Sequence, residues 1–80
     1  MQVHLYGILT DLAGARSLAL GPDVTTGDAL RDYLSRQHPP MAEVLARPST
    51  RLLLDHETAD WQASLASASD IAIIPMVSGG

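Results

Sequence analysis

The sequence predicts an α+β domain in which one amphipathic helix lies across a mixed sheet of four to five strands. Three observations predict it. Residues 2–9 alternate between two faces, as a strand does, and apolar residues recur at helical spacing after Thr25. Near the end of the chain, Ile71-Ala72-Ile73-Ile74 is apolar on both faces, which suits a central strand covered on both sides. Strands and helices in this proportion pack as a sheet with helix on one face. Eighty residues provide a single domain, residues 1–80, with residues 77–80 expected as a flexible tail.

The elements follow in order. In Gln2-Val3-His4-Leu5-Tyr6-Gly7-Ile8-Leu9, alternation puts Val3, Leu5 and Leu9 on one side and His4, Tyr6 and Ile8 on the other. Residues 10–15 contain Asp11 and Gly14 and read as a connection with room for one helical turn. Residues 16–20 form a second strand that ends at Gly21-Pro22-Asp23, and the two strands should pair antiparallel. Thr25, with Asp28 three residues on, fits an acidic capping box. Ala29, Leu30, Tyr33 and Leu34 then mark the buried face of the main helix, with Arg31, Asp32, Ser35 and Arg36 pointing away. Asp32 and Arg36 are spaced for an i,i+4 pair. Pro39-Pro40 stops the helix, because the residue before a proline is pushed out of helical geometry. A short second helix is expected over residues 41–46, a third strand over 51–54, a turn at Asp55-His56-Glu57, and a fourth strand over 59–61. Residues 70–76 form the last strand.

Composition excludes several functions. There is no cysteine, so disulfides, thiolate metal sites and thiol catalysis are out. The net charge is −4 and the five basic residues, all arginine, are scattered, which does not suit a nucleic-acid backbone. The longest apolar run, residues 71–77, is far short of the ~20 residues of a membrane helix. No basic residue precedes the apolar stretch at residues 5–9, so it does not read as a signal peptide, and a soluble, cytoplasmic protein is expected. His4, His38 and His56 share no metal-ligand spacing. No serine lies in a Gly-x-Ser-x-Gly elbow and the glycines form no phosphate-binding motif. Neither a metal nor a bound cofactor is expected, nor a catalytic site within the chain.

Three stretches carry a resemblance. They are Leu9-Thr10-Asp11-Leu12-Ala13-Gly14, Val24-Thr25-Thr26-Gly27-Asp28-Ala29-Leu30, and the specific one, Ser69-Asp70-Ile71-Ala72-Ile73-Ile74-Pro75-Met76-Val77-Ser78-Gly79-Gly80. With the element order, they resemble the ubiquitin-like β-grasp sulfur carriers, and more narrowly the small subunit of molybdopterin synthase. The likeness spans nearly the whole chain. The family often has a second proline where Met76 stands, and a Gly-Asp-Glu-like turn in place of Ala68-Ser69-Asp70.

What the resemblance implies is chemistry at Gly79-Gly80. A terminal carboxylate can attack the α-phosphorus of ATP, and the acyl-adenylate at Gly80 can then exchange for a thiocarboxylate, a good sulfur nucleophile. The implied partners are a ubiquitin-activating-type adenylating enzyme that consumes ATP, a sulfurtransferase, and the large subunit of molybdopterin synthase. A carrier for thiamine, cysteine or transfer-RNA thiolation, a protein modifier that forms an amide with target lysines, and a non-covalent β-grasp module are the other implied roles. Glycine suits the position because it lacks a Cβ and can enter a narrow channel. Four extended residues reach ~13–14 Å, enough to thread from the domain into a neighbour's site. Strand alternation further predicts an apolar docking face made of Tyr6, Ile8, Leu53, Ile74 and Met76, joined by Val77 and Ser78 at the root of the tail.

Overall fold

The structure, a computed structural model, describes residues 1–75. The elements are β1 (Gln2–Leu5), α1 (Ile8–Ala13), β2 (Ser17–Ala19), α2 (Gly27–Gln37), α3 (Ala42–Leu45), β3 (Thr50–Leu54), β4 (Glu57–Ala59) and β5 (Ile71–Pro75), with a 3₁₀ turn at Pro39–Met41 leading into α3. The five strands form one mixed sheet in the order β2-β1-β5-β3-β4. Only β1 and β5 run parallel, in the register Val3↔Ile71 and Leu5↔Ile73. The other three pairings are antiparallel. The doubly apolar run is therefore the central strand, as its composition predicts.

Alternation sorts the two sheet faces as expected. Val3, Leu5, Leu52, Ile71 and Ile73 are buried and meet Leu30 and Leu34 from α2, with Leu9, Met41, Val44, Leu45 and Leu65 closing the core. Thr50 is the one buried polar residue among those described, and its hydroxyl donates to the Val44 carbonyl at 2.6 Å. That bond satisfies both a buried hydroxyl and a carbonyl near the end of a short helix.

Four local expectations are corrected. The first strand stops at Leu5, and Ile8 and Leu9 belong to α1. Gly7 breaks the strand, and Leu9, Leu12 and Ala13 then recur at helical spacing with Leu9 buried. The cap of α2 is Thr26, not Thr25: the Thr26 hydroxyl accepts the Ala29 N–H at 3.1 Å. Asp28 does not reach back to the cap; its carboxylate takes Arg31 at 2.9 Å. The β3–β4 hairpin turns on two residues, since Leu54 pairs with Glu57. Asp55 and His56 both have positive φ (52° and 71°), which the tight turn requires because its twist matches that of the strands. The fourth strand accordingly spans Glu57–Ala59 and leaves Trp61 outside it. Trp61 instead packs half-buried against the core, with the Arg31 guanidinium 4.6 Å from its ring centre. The Asp32–Arg36 pair forms as its spacing predicts, at 3.2 Å.

Candidate functional site

β5 reaches Pro75, the last described residue, so the surroundings of Pro75 are the described part of the predicted site. Met76, Val77, Ser78, Gly79 and Gly80, including the tail expected at residues 77–80, lie outside the described residues.

Parallel pairing of β1 with β5 brings the segment after Leu5 alongside the end of β5. There the chain makes a sharp turn at Gly7, with φ 58° and ψ −137°. A side chain is disfavoured on two counts. That backbone region is essentially closed to L-residues, and a Cβ would lie 3.1 Å from Pro75 Cγ. Gly7 thus lets the backbone of the β1–α1 turn lie flat against the proline ring.

On either side of Gly7, Tyr6 is 50% exposed and Ile8 48%. Apart from Met1, these are the exposed large hydrophobics among the described residues. Ile74 and Leu53 are half-buried on the outer sheet face, with Arg51 opposite Ile74 and Leu53 opposite Ala72. Ile74 and Leu53 therefore share the outer face of the sheet, and Tyr6 follows the last residue of β1. Ile8 arrives by another route, through the Gly7 turn and the start of α1, and is not a sheet residue. Gly7 was not singled out by its sequence, although a glycine inside an alternating run is the signal of a break or a close backbone approach.

The other end of β5 is polar. The Asp55 carboxylate accepts the backbone N–H groups of Ser69 and Asp70, each at 2.8 Å. Asp70 in turn lies 3.3 Å from His4 Nε2 and 3.9 Å from His56 Nδ1. Two histidines that are unrelated in sequence thus meet one carboxylate, while His38 sits apart at the end of α2. Among the described residues, no three His, Cys, Asp or Glu side chains gather as metal ligands would. Among the described residues, the side-chain hydroxyl bonds all go to backbone groups. No helix among them is long and apolar enough to cross a membrane.

Comparison with known proteins agrees with this geometry. Residues 3–80 match the family model described as the ThiS family. The crystal structure of SAMP1 from Haloferax volcanii is similar over 99% of this chain and 97% of its own, with 30% identity and a TM-score of 0.73. A Pyrococcus furiosus protein described as a molybdopterin converting factor, subunit 1, is similar in fold, with a TM-score of 0.75 at 15% identity over 95% of each chain. The Haloferax volcanii HVO 2177 protein likewise shares the fold, with a TM-score of 0.80 at 17% identity over 99% of this chain and 84% of its own. Among curated proteins, none matches. A ubiquitin-like β-grasp sheet and a family model that runs to Gly80 lead to one conclusion: the chain belongs to the ThiS family of sulfur-carrier proteins.

Proposed function

We propose that the chain carries sulfur on the Gly80 carboxyl, and more narrowly that it serves in the cytoplasm as the small, sulfur-donating subunit of molybdopterin synthase. One observation carries the reading. The central strand of the sheet reaches Pro75, beside exposed Tyr6 and Ile8, and the sequence then continues Met76-Val77-Ser78-Gly79-Gly80.

The chemistry follows from the carboxyl group. At neutral pH a terminal carboxyl is an anion and a poor electrophile. Its oxygen attacks the α-phosphorus of ATP, pyrophosphate leaves, and the Gly80 carbonyl becomes an acyl-adenylate. The outer sulfur of a persulfide on the sulfur donor then displaces AMP to give an acyl disulfide, and a second thiol of the donor cleaves its S–S bond, leaving the thiocarboxylate on Gly80 and a disulfide on the donor. An adenylating enzyme and a sulfurtransferase supply these two steps, and the large subunit of the synthase supplies the pocket in which the sulfur is delivered. The chain itself contributes the tail and the surface on which partners dock: Tyr6, Ile8, Leu53 and Ile74, continued by Met76, Val77 and Ser78.

A second reading has its own support. SAMP1 is a small archaeal modifier protein, and the likeness to it extends over nearly the full length of both chains. A modifier uses the same adenylate but passes the acyl group to a lysine amine. Mass spectrometry separates the two. Protein taken from its own cells should have a free form that ends at Gly80, part of it with one oxygen exchanged for sulfur. If instead branched Gly-Gly remnants on other proteins are found and the free form never contains sulfur, the carrier reading fails and the modifier reading stands.

A further inference from the structure

The sequence contains no lysine, and all five of its basic side chains are arginine. Two of the five stand near Pro75. Arg51 is exposed and pairs with Ile74, one residue before Pro75. Arg16 is also exposed, and its carbonyl accepts the N–H of Leu5, which is level with Ile73. At strand spacings of about 5 Å, Arg51 lies one strand from β5 and Arg16 two strands. The five residues after Pro75 span at most ~18 Å, so both positions fall within range of Gly80 on the same molecule.

An activated carboxyl is consumed by any good nucleophile in its range. A lysine amine would attack the Gly80 carbonyl carbon, forming a C–N bond while the C–O bond to AMP breaks. AMP leaves with the bonding pair, the nitrogen loses a proton, and a stable amide closes the tail onto its own domain. Roughly one lysine amine in a few thousand is uncharged at neutral pH, whereas an arginine side chain stays protonated and does not attack. Other described groups near Pro75 do not trap the acyl group either. Thr10 and Thr50 donate their hydroxyls to the Leu5 and Val44 carbonyls, and a hydroxyl without a base beside it is a weak nucleophile. An ester on the exposed Tyr6 phenol would itself be activated, and an anhydride with the exposed Asp11 carboxylate would reopen in water. An amine at Met1 is too distant. The parallel register puts Gly7 level with Pro75, and Met1 lies six residues back, about 20 Å along the strand.

We propose that the domain surface within reach of Gly80 is built without a trapping nucleophile, with arginine rather than lysine at positions 16 and 51. The activated acyl group then survives until a partner takes it. This rests on the activated-tail reading above and goes beyond it by giving Arg16 and Arg51 a protective role.

The test uses the full chain with Gly80 converted to an alkyl thioester, which stands in for the adenylate, incubated at pH 8 and followed by intact mass. Wild type should only hydrolyse to the free acid. Arg51→Lys and Arg16→Lys should instead yield a product one water lighter than the acid, with Gly80 joined to the introduced amine in peptide maps. The control variant Gln2→Lys is exposed at the far end of β1. It should cyclise roughly tenfold less or worse, because closure there needs a nearly straight tail. Unfolding midpoints confirm that each variant is folded. Hydrolysis alone in both arginine-to-lysine variants would overturn the proposal, as would wild-type protein that loses water by itself or Gln2→Lys protein that cyclises as readily. Because the thioester needs neither ATP nor a partner, protein that behaves as expected here yet never acquires AMP from the adenylating enzyme would defeat the carrier reading alone.

Discussion

Gly7 and Gly14 form a natural pair of controls. Both have positive φ, 58° and 71°. Gly14 ends α1 in an ordinary left-handed cap, its N–H bonded to the Thr10 carbonyl, and a Cβ there meets nothing within 4 Å. Replacing it by alanine costs only the left-handed penalty, about 1–2 kcal/mol. At Gly7 the backbone lies outside even that region, and the added carbon also presses on Pro75 Cγ. Gly7→Ala is expected to lose about 1–3 kcal/mol and to move the proline from which the tail departs. The two variants should therefore be similar in stability and different in function. With the adenylating enzyme, Gly14→Ala should match wild type in turnover of AMP, while Gly7→Ala should be slower at saturating protein concentration. Equal turnover in the two would show that the Gly7–Pro75 contact has no role in presenting the tail.

At the scale of elements, the start of α2 is the most determined junction in the fold. The first N–H groups of a helix have no partner within it, and here each finds one. Thr26 Oγ1 accepts from Ala29, the Ala63 carbonyl from Gly27 at 3.1 Å, and the Trp61 carbonyl from Asp28 at 2.6 Å. The loop after β4 is thus pinned to the helix, and Leu65 N–H completes the join by donating to Thr25. So close an approach needs glycine at position 27, where a Cβ would lie 2.5 Å from the Trp61 oxygen and 2.7 Å from Leu52 Cδ2. Gly27→Ala should cost about 3 kcal/mol, the upper end for overpacking, because a backbone atom must move. Thr26→Ala should cost about 1 kcal/mol. Denaturant unfolding that ranked them the other way would mean the loop yields freely. This junction also marks how far the sequence could be read. The helix, its buried face and the central strand were legible because each is a repeating pattern several residues long. The cap was misassigned by one residue because Thr25 and Thr26 offer the same hydroxyl, and only the position of the loop chooses between them. Residues 6–9 continued a period of two by coincidence, and only the contact of Gly7 with Pro75, distant in sequence, reveals the break. Around the candidate site, the outward-facing position of Ile74 on β5 was legible from alternation, whereas the place of Gly7 beside Pro75 depends on which strand neighbours which.

For the molecule as a whole, stability and function should be separable along the chain. Among the described residues, the buried hydrophobic core includes side chains from Val3 to Ile73, and the ladder pairing extends to Thr50↔Pro75. A domain of this length is held by a net free energy on the order of 4–12 kcal/mol, so the loss of one core side chain is felt at once. Leu34, fully buried on α2, should cost about 2–5 kcal/mol when cut to alanine, and its unfolding midpoint should fall by roughly 10 °C or more at the 4–8 °C per kcal/mol of a domain this small. Gly79 and Gly80 have no side chain, so removing them deletes no core side chain. The truncated chain should unfold at the wild-type midpoint to within about 2 °C, an equivalent of less than 0.5 kcal/mol, and should still bind the adenylating enzyme through Tyr6 and Ile8. It should nevertheless accept neither AMP nor sulfur. Calorimetry and intact-mass measurement on the same preparation check both halves. A truncated protein that melts well below wild type would tie the last two residues to the fold, and one that still gains AMP would move the reactive group away from Gly80.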